Sequence, residues 1–139
     1  THSKEAFGVM PPDLTLTARS RGSDWIYTFL LSFYKDESRP FGANNKLYPN
    51  VNMPHVLWYM EGVKEPTDQS LADFKYTSVG SMSYDEYKSS MTDLVNFLTY
   101  VSEPAQLDRY RIGFWVILFL LIFSVLAYLL KVEYWKDVK

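Results

Sequence analysis

The sequence predicts a mainly α-helical chain with one small β-hairpin and a single C-terminal transmembrane helix. Three observations carry that reading. Residues Ile112 to Leu130 form a run of 19 positions without a charge. "SYDEYKSSMTDLVNFLTYV" opens on Ser83 with Glu86 three positions on, and Met91, Leu94, Val95, Leu98 and Val101 then recur at helical spacing. "HVLWYMEGV" and "DFKYTSV" read as two short strands joined by "KEPTDQS".

Taken in order, "VMPPDLTLTARSRG" is a turn through the Pro pair and Asp13 into a short helix, broken at Gly22. Ser23 is the expected N-cap of a largely buried helix over 24–34, with Asp24 in its first turn and apolar residues all round. "KDESRPFGANNKLYPNVNMP" is rich in Pro, Gly and Asn. It reads as an irregular loop of about 20 residues, a length that is uncommon in compact domains and usually functional or disordered. The hairpin follows, with Gly80 breaking its pattern, and then the amphipathic helix over 84–101. "SEPAQ" links that helix to the apolar span.

A helix over the charge-free run covers about 28 Å, close to the hydrocarbon thickness of a bilayer. A helix satisfies its own backbone polar groups in lipid, so helix is the expected state. Arg109 and Arg111 stop the run on one side and Lys131 on the other, and Tyr110, Trp115, Tyr128, Tyr134 and Trp135 sit near its ends as interfacial aromatics do. Lys131, Lys136 and Lys139 against Arg109 and Arg111 give a weak positive-inside bias. It places the tail in the cytoplasm and residues 1–107 outside. That outer part carries 9 Lys/Arg and 13 Asp/Glu. Such a surface suits either steering of a basic partner or ordinary solvation.

The remaining chemistry is sparse. With 14 basic and 16 acidic residues and no basic stripe, nothing points to nucleic acid. The chain has no cysteine, so disulfides, thiolate metal sites and a thiol nucleophile are excluded within it. No apolar h-region follows "THSKEAFG", so no signal peptide is expected, and a start without methionine fits a mature product or a fragment. No nucleophile elbow, zincin helix, P-loop or dinucleotide fingerprint occurs. Of the two histidines, His2 and His55, the second reads as a surface or strand-edge residue, and Asp36–Glu37 and Asp85–Glu86 read as solvated turns or helix starts. Met53, in "LYPNVNMPHVLWY", remains. Its thioether is a soft ligand suited to haem iron or copper, on a backbone limited by Pro54. The alternative is a packing methionine in a loop. The aromatic cluster Trp25, Tyr27, Phe29, Phe33 and Tyr34 likewise suits either a large flat ligand or a rich core.

Three stretches together resemble the cytochrome c1 family, the haem-bearing subunits of quinol–cytochrome c oxidoreductase (bc1) complexes, in a bacterial form. They are "VMPPDLTLTARSRGSDWIYTFLLSFY", "YPNVNMPHVLWYMEG" and "DLVNFLTYVSEPAQLDRYRIGFWVILFLLIFSVLAYLLKVEYWKDVK". The resemblance runs across essentially the whole chain in the family's order, and "PPDL", "MP" and "FLxYxxEP" are specific in combination. It implies a partial cytochrome c-like haem domain over 1–107, an anchor helix over 108–131 and a short cytoplasmic tail over 132–139. The family's haem c is attached through a Cys-x-x-Cys-His motif whose histidine is one axial ligand. That motif is absent here, so the chain resembles the C-terminal part of the family.

Carried over by position, the resemblance makes Met53 the other axial ligand of the haem iron. Arg21 becomes the partner of a haem propionate, Pro12 lines the haem face, and Trp25 falls near a family tyrosine beside the haem. Where the family often has "MAPP", this chain has "MPHV". The resemblance also implies electron transfer from the Rieske iron–sulfur protein to a c-type cytochrome acceptor, with no substrate-transforming site. The span would dock on cytochrome b, with Gly113, Ser124 and Ala127 available for close helix approach. The setting implied is a dimeric multi-subunit complex in the bacterial inner membrane, haem domain on the periplasmic side of the lipid bilayer. The competing class is a single-span structural or assembly subunit without a cofactor.

Overall fold

The computed structural model describes residues 4–5, 10–67 and 73–138. His2, Lys139 and the end of the "KEPTDQS" connection lie outside the described residues. The chain is mostly helical with two small two-stranded sheets, and it divides into two compact units, Thr1–Ser102 and Glu103–Lys139.

In the first unit, Asp13 sets the entry turn by accepting from the amide and hydroxyl of Thr15 at 2.9 and 2.6 Å. Helix α1 (Thr17–Arg21) and helix α2 (Ser23–Leu31) are separated by Gly22 alone. Gly22 therefore takes the cap position expected of Ser23, which lies inside α2 and makes no capping hydrogen bond. The helix ends three residues before the expected Tyr34. Its residues are also half-buried rather than largely buried, with only Ile26 fully enclosed.

Two short strands lie at the start of and within the expected irregular loop over 35–54, the rest of which is mostly turns and bends. Strand β1 (Phe33–Lys35) pairs antiparallel with β2 (Ala43–Asn45), in the register Phe33↔Asn45 and Lys35↔Ala43. The turn between them is closed by side chains. Asp36 Oδ1 accepts from the amide and hydroxyl of Ser38 at 3.0 and 2.6 Å, and the Gly42 amide donates to the Arg39 carbonyl at 3.0 Å. These bonds are the Asx-turn chemistry that Asp, Ser and Gly bring to short connections.

The expected strand over 55–63 is a second correction. A single helical turn, α3 (Trp58–Glu61), occupies it, and strand β3 (Gly62–Pro66) starts only at Gly62. A short apolar run is compatible with either state by periodicity, and here close packing decides. β3 pairs antiparallel with β4 (Phe74–Val79), the strand expected from "DFKYTSV". Gly62 has φ +97, and a Cβ there would lie 2.3 Å from the Ser78 carbonyl oxygen. A Cβ on Gly80 would lie 2.2 Å from the Met60 carbonyl oxygen. The two glycines let the hairpin and α3 touch backbone to backbone, continued by Ser81 N–H donating to Tyr59 O at 2.9 Å.

Helix α4 (Tyr84–Ser102) opens with the expected capping box. The Ser83 amide and hydroxyl donate to Glu86 Oε2 at 2.9 and 2.8 Å, and the Glu86 amide returns to Ser83 Oγ at 3.4 Å. Tyr87, Met91 and Val95 recur every fourth position and are buried. One core joins Ala18, Ile26 and Val95 across α1, α2 and α4, flanked by Trp25, Tyr27, Leu30 and Leu98. A second joins Phe33, Ala43 and Val51, with Phe29 and Met53 against it. Phe33 is almost wholly enclosed, a burial that stabilises by about 2–3 kcal/mol.

The second unit is helix α5 (Gln106–Tyr134), followed by a 3-10 turn over Trp135–Val138. It is long and apolar enough to cross a membrane, and none of its apolar window is buried. At its start Arg109 forks onto Glu103 through two bonds of 2.6 and 3.1 Å. Near its end Lys136 pairs with Glu133 at 2.6 Å.

Candidate functional site

The loop before Met53 is built from buried amides. Asn45, fully enclosed, accepts the Leu47 and Tyr48 amides at 2.9 and 3.0 Å and donates to the Phe29 carbonyl at 2.7 Å. Asn44, also buried, accepts the Asn45 and Asn50 amides at 2.9 Å each and donates to Asp36 Oδ2 at 2.8 Å. Each replaces backbone bonds that a loop of this shape cannot make with itself. Asn50 adopts φ 64, the left-handed region that asparagine tolerates better than most residues. The chain then delivers Val51 into the second core and places Met53, half-buried, against it.

The far side of Met53 is anchored as well. Past Pro54 the chain turns tightly, the Val56 amide donating to the Pro54 carbonyl at 2.9 Å. The His55 ring stacks on Phe33 at 5.0 Å and 3°. Its Nε2 lies 3.0 Å from Glu61 Oε2. His55 is thus an enclosed, partnered residue with only 12% of its side chain exposed, not the surface or strand-edge histidine expected. The strand expected around it gives way to a turn, which points the ring inward.

Arg21 and Trp25 are brought together. The exposed Arg21 guanidinium lies 5.1 Å over the Trp25 ring. Trp25 stacks on Phe29 at 5.1 Å, and Phe29 meets Phe33 edge-on at 5.0 Å. A continuous aromatic row therefore runs from Arg21 to His55, and Met53 packs on the same Phe29–Phe33 core. Pro12 is exposed, one residue before the Asp13 turn, in a stretch where Met10, Leu14 and Leu16 also present apolar surface. A cleft of about 410 Å³ opens beside this region, lined by Phe33, Phe41, Ala43, Pro54 and His55 among others.

Sequence reasoning missed the buried charges behind the cleft. Glu61 and Lys64 are 5% and 3% exposed and form an ion pair. Lys64 Nζ also donates to the Leu31 carbonyl at 2.7 Å and lies 4.2 Å from the Phe74 ring centre. Burial lowers the Lys64 pKa below the ordinary lysine range, against the pull of Glu61. Burial, then the Glu61 charge, pushes the Tyr76 phenol up to about 12 and raises the fully enclosed Tyr87 further. The available signal was a Glu and a Lys within one apolar run, three residues apart. Among the described residues no three His, Cys, Asp or Glu side chains converge to hold a metal ion.

A model of the family described as "Cytochrome C1 family" matches residues 2–138. The chain belongs to the cytochrome c1 family. It is 51% identical to cytochrome c1 of Allochromatium vinosum over 95% of this chain and 58% of that protein. It is 46% identical to the ammonia monooxygenase gamma subunit of Nitrosomonas europaea over 95% of this chain and 56% of that protein. Cytochrome b/c1 of Bradyrhizobium diazoefficiens is 27% identical over 94% of this chain and 21% of its own length. This cytochrome c1 family chain spans a little over half the length of the first two relatives.

Proposed function

We propose that the chain supplies the methionine side of a haem c pocket and the membrane anchor of an electron-transferring bc1 subunit. The observation that carries this reading is the anchored Met53, a soft sulfur held on a loop with buried supports on both sides. The residues suit the group. Thioether sulfur is a known haem ligand, the core it packs on is aromatic and apolar, and the exposed Arg21 lies over Trp25 in the same aromatic row. Met53 would ligate the iron, Arg21 would pair with a propionate, and Pro12 and Trp25 would border the ring.

When bound, haem c supplies one-electron chemistry. Met53 would favour the ferrous state, and the enclosed Phe29–Phe33 core would keep water from that face. The cysteines would come from outside these 139 residues, since the chain has no cysteine, and the histidine of the same Cys-x-x-Cys-His motif would come with them. The electron donor in this reading is the Rieske protein and the acceptor a c-type cytochrome. Residues 1–107 would stand on the periplasmic side of a bacterial inner membrane, 108–131 would span it, and 132–139 would be cytoplasmic. The name cytochrome b/c1 carried by the Bradyrhizobium relative supports cytochrome b as the partner of the span.

The second reading is a single-span subunit of another membrane complex without its own cofactor. Two observations favour it, the lack of cysteine and the gamma-subunit name of the Nitrosomonas relative. A pyridine haemochrome spectrum of the purified complex separates the two. Met53→Leu should then sharply lower the haem midpoint potential in a complex that still assembles. An unchanged potential would refute the ligand assignment.

A further inference from the structure

Arg39 is not among the residues to which the family resemblance gives a role, yet it holds the three residues before Met53. Its Nη2 donates to the Asn50 carbonyl at 2.8 Å, to Asn52 Oδ1 at 3.1 Å and to the Val51 carbonyl at 3.5 Å. Nη1 reaches Asn50 Oδ1 at 3.4 Å. The arginine is itself fixed. It sits in the β1–β2 turn, its amide donating to Asp36 O at 3.2 Å and its carbonyl accepting from Gly42 at 3.0 Å. Its Nε is enclosed and has no partner among the described residues, so the head is held by the fork rather than by solvent. One planar guanidinium thus ties a rigid turn to a left-handed bend and to the two residues after it.

We infer that Arg39 is a positioning residue for Met53: it pins residues 50–52 so that the thioether stays at ligand distance. The inference rests on Met53 being the iron ligand. Among the described residues, 50–52 have no other cross-chain tether of this number. Asn44 holds the Asn50 amide, Val51 packs apolar, and Asn52 is exposed. Without the fork the carbonyls of 50 and 51 turn to water and the loop gains freedom just ahead of the ligand. Met53 would then be held less firmly toward a haem iron.

The test uses the assembled haem-containing complex with Met53→Leu, Arg39→Gln, Asn52→Ala and, as a charge control, Arg19→Gln. Arg19 is exposed and near the end of α1. Readouts are the sulfur-to-iron charge-transfer band of the ferric haem, carbon monoxide binding by the ferrous haem, and the midpoint potential. Arg39→Gln should raise the carbon monoxide-accessible fraction about tenfold, about 1.4 kcal/mol, and weaken the band. Asn52→Ala removes one acceptor on an exposed side chain and should give a smaller rise without a folding defect. Arg19→Gln should change neither. If Met53→Leu abolishes the band while Arg39→Gln and Asn52→Ala bind carbon monoxide like the parent, the Arg39 inference is overturned and the ligand assignment stands. If Arg39→Gln fails to assemble, unchanged carbon monoxide binding in Asn52→Ala overturns it. If Met53→Leu keeps the band, both readings fall.

Discussion

Replacing Lys64 by methionine should destabilise the first unit by about 3–5 kcal/mol at neutral pH, the cost of breaking one side of a buried ion pair. The structure shows where that comes from. Glu61, 5% exposed, loses its ammonium partner and keeps His55 Nε2 at 3.0 Å. The Leu31 carbonyl loses its donor at 2.7 Å, which adds about 1 kcal/mol of unsatisfied polar group. Methionine roughly fills the lysine volume, so a cavity contributes little. Burial holds Lys64 below the ordinary lysine pKa, so its desolvation outweighs the attraction of Glu61. The intact pair is therefore not itself a strong source of stability, and removing both charges should cost less than removing one. Urea unfolding of the full chain in detergent, followed by Trp25 and Trp58 fluorescence, measures Lys64→Met, Glu61→Leu and the double variant. The double variant should recover more than about 1.5 kcal/mol relative to the sum of the singles. Additive losses, or a Lys64→Met loss under about 1 kcal/mol, would refute the reasoning.

Two further predictions follow from the same region. The Tyr87 phenol is raised in the folded state, so the unfolded chain ionises first. Its stabilising contribution is whole below pH 10 and is lost as pH rises through its folded value, at up to about 1.4 kcal/mol per pH unit. Tyr87→Phe should flatten the alkaline limb of a urea midpoint against pH curve; Tyr76, 40% exposed, should contribute less, and an unchanged limb would count against the assignment. Gly62→Ala places a Cβ within 2.3 Å of a backbone oxygen at φ +97, and should cost about 2–4 kcal/mol in the same unfolding assay, with hydrogen exchange rising across β3 and β4.

Local signals were legible and distant ones were not. The Ser83–Glu86 box and the helical spacing of Met91, Leu94, Val95, Leu98 and Val101 lie within one helix, so the sequence shows them directly, whereas the burial of Tyr87 emerges only in the structure. The charge-free run at 112–130 likewise needs no tertiary context. Residues 55–61 were misread because a short apolar run fits strand or helix, and the deciding contact is Gly80 with Met60, twenty positions away. β1 and β2 are three residues each, too short to produce an alternation. Asn44 and Asn45 count in the sequence only toward an Asn-rich loop, but their amides are buried and bonded to partners that composition cannot reveal. The thioether of Met53 left a ligand and a packing reading open, and the family resemblance singled out the first. Its supports, Arg39 and Asn44, did not stand out, because a side chain that serves a backbone carbonyl leaves no periodic mark.

The hydrogen bonds around the methionine loop share a further property. Arg39 reaches 11 to 13 positions ahead, Asn44 reaches 6 ahead and 8 back, and Asn45 reaches 2 and 3 ahead and 16 back. The Lys64 and Lys46 bonds, in contrast, close spans of 33 and 21 to 27 positions. Short spans carry a small loop-closure entropy and form early. The loop can therefore assemble from its own neighbourhood before the hairpin docks. A group arriving later would meet a side chain already in place, and its binding would be spared the ordering of that loop.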